Sequence, residues 1–292
     1  MIFLFLAIFS SAFIFILFKL FPSFSVNTYH AIVINYLTAG TCGFIFNANY
    51  TKIPEVLYSS WLVFAIFIGI LLLVTFLLIK YSTQNIGVSI TTIASKMSVV
   101  IPVVFSIIYD NEFLSIFKLL GIMLAILAIF LLVKTEPNND KIMKKWWITF
   151  MPLLLFLGLG ISDSLVKFIQ NAYIDVKDAS LFTSSLFFCS FVASFFYGLT
   201  QKNFIPYFKN IKNYIGGVIL GLCNFGSLYF LIKALYFSGL DSSLVFGVVN
   251  LGIVVLSVLI GFTLFKEKLL KINWLGFVFA IVAIILMTSQ HA

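Results

Sequence analysis

The chemistry open to this chain rests on a few polar side chains stranded in apolar sequence. Lys96 stands near the middle of the run 87–108, beside Ser95 and Ser98. A lysine at that depth in hydrocarbon costs on the order of 2.5 to 3.5 kcal/mol, so it needs a water-filled cavity or a partner. One reading makes it a solute ligand. The other makes it a structural donor to helix carbonyls freed by Pro102, whose ring removes a backbone N–H. Asp163 is the carboxylate well inside an apolar run, and Lys167 follows one helical turn later on the same face. Either the two neutralise each other while the lysine stem snorkels to the interface, or Asp163 reaches Lys96 or a cationic substrate and carries a coupling proton.

Amides and hydroxyls complete the set. Asn224 and Asn250 carry both donors and acceptors and are read as lining the cavity that Lys96 faces. Asn35 is read instead as helix-to-helix glue, worth about 0.6 kcal/mol per bond. Tyr229, and Ser11 beside Ser10, are further candidates for a pore lining. The substrate-binding set is therefore Lys96, Asp163, Asn224, Asn250, Tyr229 and Ser11. No catalytic group, metal or other cofactor is expected. His30 and His291 lie at a helix start and at the C-terminus, and Cys42, Cys189 and Cys223 fall in apolar runs without metal-ligand spacing, as small hydrophobes do. Glu112 and Glu267 sit in short charged turns at helix starts, where the helix dipole favours a carboxylate, and both are read as caps. Gly217 and Gly221 form a GxxxG that predicts close helix approach.

The elements that must position these groups are membrane helices. With 62% hydrophobic residues, 10% charged residues and a mean hydropathy of +1.15, the chain has too little polar surface to cover a water-soluble globule. Apolar runs of roughly 17 to 25 residues between short polar breaks match helices, not the ~10-residue alternating strands of a barrel. Ten spans are read, at 2–18, 29–46, 61–79, 87–108, 116–133, 147–169, 179–199, 215–236, 242–264 and 273–287, giving an all-α membrane protein. The first run lacks a basic flank and a small-residue cleavage site, so it reads as a span and not as a removable signal. A net charge of +8 does not point to nucleic acid, because the basic residues are lysines gathered in the breaks. Breaks after odd-numbered spans hold about 12 lysines against about 4 after even-numbered ones, which orients the central linker to the cytoplasm and both termini outside. The expected location is the plasma or inner membrane.

The chain is also a repeat. Laid over each other so that Glu112 falls on Glu267, the two halves put Gly121 on Gly276, Ala125 on Ala280 and Ala128 on Ala283. With a slightly smaller offset, Lys19 falls on Lys167 and Ala31 on Ala179, while Leu78-Ile79-Lys80 matches Leu231-Ile232-Lys233. The small residues after each turn share one helical face that lets another helix approach closely. The organisation is a first five-helix repeat at 1–133, a polar linker at 134–146 and a second five-helix repeat at 147–292. Because five is odd, the second copy enters from the opposite side. Inverted repeats of this kind are frequent in secondary transporters.

Two five-helix halves, third-to-fourth connections LIKYSTQNIG and LIKALYFSGL, turn glutamates in YDNEFL and FKEKLL, and a glycine nine residues beyond each glutamate together resemble the EamA-type drug/metabolite transporters. One departure is that Ser257 stands where the first half has Pro102. The resemblance implies two inverted five-helix repeats and transport, in the direction of export, of a small metabolite, amino acid-like or otherwise small and polar or amphipathic. Alternating access at the repeat interface is the implied mechanism. A lipid flippase on the same fold is the alternative. An intramembrane lipid-modifying enzyme fits less well, because it needs a nucleophile and an acid–base group within reach of each other. The expected partners are a small-molecule substrate and the lipid bilayer, with no nucleic acid. A homodimer is compatible with the sequence.

Overall fold

A computed structural model describes residues 1–46, 54–109, 115–133, 150–173, 179–201, 204–239 and 242–288. They form α1 Ile2–Leu20, α2 Thr28–Ile45, a 3-10 turn at Pro54–Tyr58, α3 Leu62–Asn85, α4 Val88–Met97, α5 Val100–Tyr109 and α6 Ile116–Val133. In the second half they form α7 Met151–Tyr173, α8 Ala179–Leu199, the short α9 Phe204–Tyr207, α10 Ile211–Phe237, α11 Ser242–Thr263 and α12 Lys271–Thr288, with no strand among the described residues. The expected linker at 134–146, Glu112 and the start of the run expected from 147 lie outside the described residues.

The protein is an all-helical membrane protein, and among the described residues 7 helices or helix pairs are long and apolar enough to cross a bilayer: α1, α3, α4 with α5, α7, α8, α10 and α11. The apolar helices α6 and α12 are shorter. The run 87–108 is not one helix. Pro102 has no N–H to offer the carbonyl of Ser98, which instead accepts from Ile101 N at 3.0 Å in a tighter turn. The helix therefore breaks at Ser98 and Val99, one turn before the proline.

The chain divides into two compact units. Unit 1 comprises Met1–Lys19, Leu78–Ile161 and Ser227–Ala292, and unit 2 comprises Leu20–Leu77 and Ser162–Gly226. Each draws on both halves of the sequence.

In unit 1 the most extensive helix contact joins α6 to α12. A Cβ on Gly121 would lie 3.1 Å from the Ala283 carbonyl oxygen, and one on Gly276 would lie 3.2 Å from that of Ala128, so the backbones touch. Since 121 meets 283 and 276 meets 128, the helices run antiparallel. Ala125, Ala128, Ala280 and Ala283 are wholly buried in the same core. Small side chains make this approach possible, and the gain is dispersion over a long contact. Asn273 fastens one end, donating from Nδ2 to the Leu131 carbonyl at 3.1 Å while its Oδ1 accepts from Leu270 N.

In unit 2, α2 is the central element. Asn27 caps it, Oδ1 accepting from Tyr29 N and His30 N, and the Asn27 N–H donates to Asn213 Oδ1 at 2.7 Å. The GxxxG of α10 meets α2 as its spacing predicts. A Cβ on Gly217 would lie 2.5 Å from Ile34 Cβ, and one on Gly221 would lie 2.6 Å from Thr38 Cβ. On another side Gly40 lets α8 approach, with Phe188 N only 3.3 Å from where a Cβ would be. Phe182 anchors a second core with Ala65, Ile68, Ile169 and Leu186. Trp61, a residue suited to the interface belt, packs edge-on against Phe182 with ring centroids 5.4 Å apart.

Candidate functional site

The helix that carries Lys96 is polar in sequence yet enclosed in unit 1. Nine of the ten side chains of α4 are buried, and Lys96 is the one partly exposed. Most of its hydroxyls are committed locally. Ser82 Oγ and Thr91 Oγ1 share a hydrogen bond of 2.6 Å that ties α4 to the end of α3, and Thr91 Oγ1 also donates to the Gly87 carbonyl. Ser95 Oγ donates to the Thr91 carbonyl at 2.8 Å and Ser98 Oγ to the Ser95 carbonyl at 2.6 Å. Two hydroxyls are different. Thr92 Oγ1 on α4 and Ser257 Oγ on α11 are buried without a hydrogen-bond partner among the described residues. Each such group costs about 1 to 3 kcal/mol when left unmet.

Glu267 fixes the start of α4. The N-cap residue is Gly87, which has no side chain to offer. The Glu267 carboxylate, from the turn between α11 and α12, takes that role: Oε1 accepts from Val88 N at 2.6 Å, and Oε2 accepts from Ser89 N at 3.0 Å and Ser89 Oγ at 2.8 Å. Glu267 is thus a cap, as its charged turn suggested, but the helix start it caps is that of α4 and not of the α12 that follows it. The sequence signal that could have found the contact is the glycine before Val88, which obliges the first N–H groups of α4 to find an acceptor elsewhere.

The clasp sets the start of α4 beside the end of α11, and because the two helices then pack along each other they run antiparallel. At 1.5 Å per residue, Lys96 lies roughly 12 Å and Asn250 roughly 16 Å from the clasped end, so Asn250 is less than one helical turn deeper than Lys96. Asn250 is partly buried. Helix α1 meets α11 where Ile8 fills the space over Gly252, and it carries Ser11, also partly buried. Tyr229, in the part of α10 that belongs to unit 1, has Lys233 Nζ 5.6 Å from its ring centroid.

Unit 2 holds the remaining two candidates. Asn224 Nδ2 donates to Asn35 Oδ1 at 3.2 Å, both side chains being buried. Asp163 is exposed and Lys167 partly buried. The structure thus gathers the helices bearing Lys96, Asn250 and Ser11 in one unit, while Asn224 and Asp163 belong to the other. Donors, acceptors and one cation are present along α4 and α11.

Residues 1–134 match the model of the EamA-like transporter family. The EamA-like segment contains Ser11 and Lys96, whereas Asp163, Asn224, Tyr229 and Asn250 lie beyond it. The chain is also similar to an uncharacterized protein of Haemophilus influenzae, 27% identical over 286 residues, which covers 95% of this chain and 94% of that protein.

Proposed function

We propose that the protein is a secondary transporter that exports a small metabolite, amino acid-like or otherwise small and polar or amphipathic, by alternating access between two inverted five-helix repeats with ten spans in all. Lys96 and Asn250 bind the solute, with Ser11 and Tyr229 lining its way. Asp163 and Asn224 are the assigned polar residues of unit 2. The reading is supported above all by the pairing of α6 with α12, where Gly121 lies against Ala283 and Gly276 against Ala128. These are equivalent positions in the two halves, and an antiparallel meeting of equivalent faces is what two inverted copies make. The unmet hydroxyls of Thr92 and Ser257 add donors that a polar solute would satisfy.

Purified protein in sealed vesicles tests this. Labelled amino acids, amines and other small polar solutes are offered to vesicles with and without protein. The expected result is protein-dependent accumulation of at least one solute, recovered chemically unchanged. Recovery of an altered molecule, or redistribution of labelled phospholipid with no solute uptake, would contradict it. The linker at 134–146 is proposed to be cytoplasmic. A single cysteine at Asn139, in a background lacking Cys42, Cys189 and Cys223, should resist a membrane-impermeant reagent in intact cells and react once they are opened.

A further inference from the structure

The capping of α4 by Glu267 is unusual in where the cap comes from. An ordinary N-cap sits directly before its helix, so cap and helix move together. Here the carboxylate arrives from the α11–α12 turn, 178 residues away from Ser89 in the chain, and the local position is a glycine. The fit around it is close. A Cβ on Gly87 would lie 2.7 Å from Glu267 Oε1, and one on Gly261 would press on Ser89 Oγ and lie 2.6 Å from Glu267 Oε2. Gly87, with φ +130°, takes a conformation open to glycine, whereas Lys266, next to the glutamate, has φ +51°. A lysine in the left-handed region persists only where its surroundings impose it, and such residues collect at switching segments.

Two other attachments of α4 do not depend on Glu267: the apolar packing of Ile90 and Ile93 in one core with Val254 and Val258 of α11, and the corner with α3. Ser82 and Thr91 bond to each other at 2.6 Å, and Gly87 N donates to the Ser82 carbonyl at 3.1 Å, so the α3–α4 corner is closed by its own contacts. Without the carboxylate the α3–α4 corner keeps these bonds, while α4 and α11 keep their apolar packing. We propose that Glu267 is a releasable latch: it holds the α11–α12 turn against the start of α4 in the state described, and its release opens unit 1 at that end during the transport cycle. The proposal rests on the transport reading, and names the contact that must break for the helices bearing Lys96 and Asn250 to part.

The test measures a distance in the full chain. Nitroxide labels are placed at Asn85→Cys and Lys268→Cys, both exposed positions flanking the clasp, in a background with Cys42, Cys189 and Cys223 replaced by alanine. The protein is held in lipid nanodiscs and read by pulsed dipolar spectroscopy. The wild type should show one dominant short distance, and Glu267→Gln should increase a longer population several-fold. Gly261→Ala keeps the carboxylate but crowds it off Ser89, and should shift the distribution the same way. A single short distance in both variants, with only a lower thermal midpoint, would make Glu267 a fixed structural cap and overturn the latch. Failure of both variants to fold would do the same. Vesicle uptake by the wild type is read separately, so a failed latch leaves transport standing, and absent uptake removes the transport reading whatever the distance.

Discussion

The contact of α2 with α10 and the contact of α4 with α11 both bury polar side chains between helices, yet they are fastened differently. Along α2 the fastening is continuous: Asn27 bonds Asn213, Ile34 and Thr38 sit on Gly217 and Gly221, and Asn224 bonds Asn35. Along α4 apolar packing against Val254 and Val258 runs the length of the contact, and the hydrogen bonds lie at one end, where Glu267 grips Val88 and Ser89. Beyond it come Thr92 and Ser257 with unmet hydroxyls, then Lys96 at the one partly exposed position of the helix. The first seam uses small residues and paired amides to hold two helices in a fixed relation. The second withholds part of its hydrogen-bonding capacity from the fold, which is what a site for a transient polar guest requires.

The contrast is most easily broken at the glycines. Gly217→Leu puts a large side chain where Ile34 leaves no room for a Cβ, and overpacking of this kind should destabilise the protein by about 3 kcal/mol, seen as a large drop in thermal midpoint in detergent. Tolerance of leucine there would mean that the α2–α10 seam is loose. Asn224→Leu removes one interhelical bond and strands the Asn35 carbonyl, with an expected loss of about 1 kcal/mol in the same assay. The smallest change should have the opposite sign. Thr92→Val and Ser257→Ala delete buried hydroxyls that have no partner among the described residues, and each should hold or raise the midpoint by up to about 1 kcal/mol while slowing solute uptake. A clear destabilisation by either would mean that its hydroxyl serves the fold.

Much of this was legible in the sequence because it depends on periodicity. The small residues after each turn glutamate announced a helix-packing face, and α6 and α12 meet through those residues. The GxxxG of α10 announced another, and Gly217 and Gly221 take α2 at close range. Pro102 announced a broken run, although the break falls at Ser98 because the lost bond belongs to the carbonyl four residues back. What the sequence did not reveal is which distant groups meet. Glu267 reads as a cap for the nearest helix start, and only folding brings α4 to it. Asn224 and Asn35 look alike as isolated amides, and their pairing depends on helix rotation that periodicity leaves free.

The central claim is that Lys96 marks a solute site and not a structural prop. The direct measurement compares wild type and Lys96→Met in sealed vesicles, at equal reconstituted protein, using whichever small solute the wild type accumulates. Methionine keeps the length and removes the charge, so the thermal midpoint should hold or rise while the uptake rate falls at least tenfold. Uptake by Lys96→Met at the wild-type rate, with the fold intact, would contradict the account.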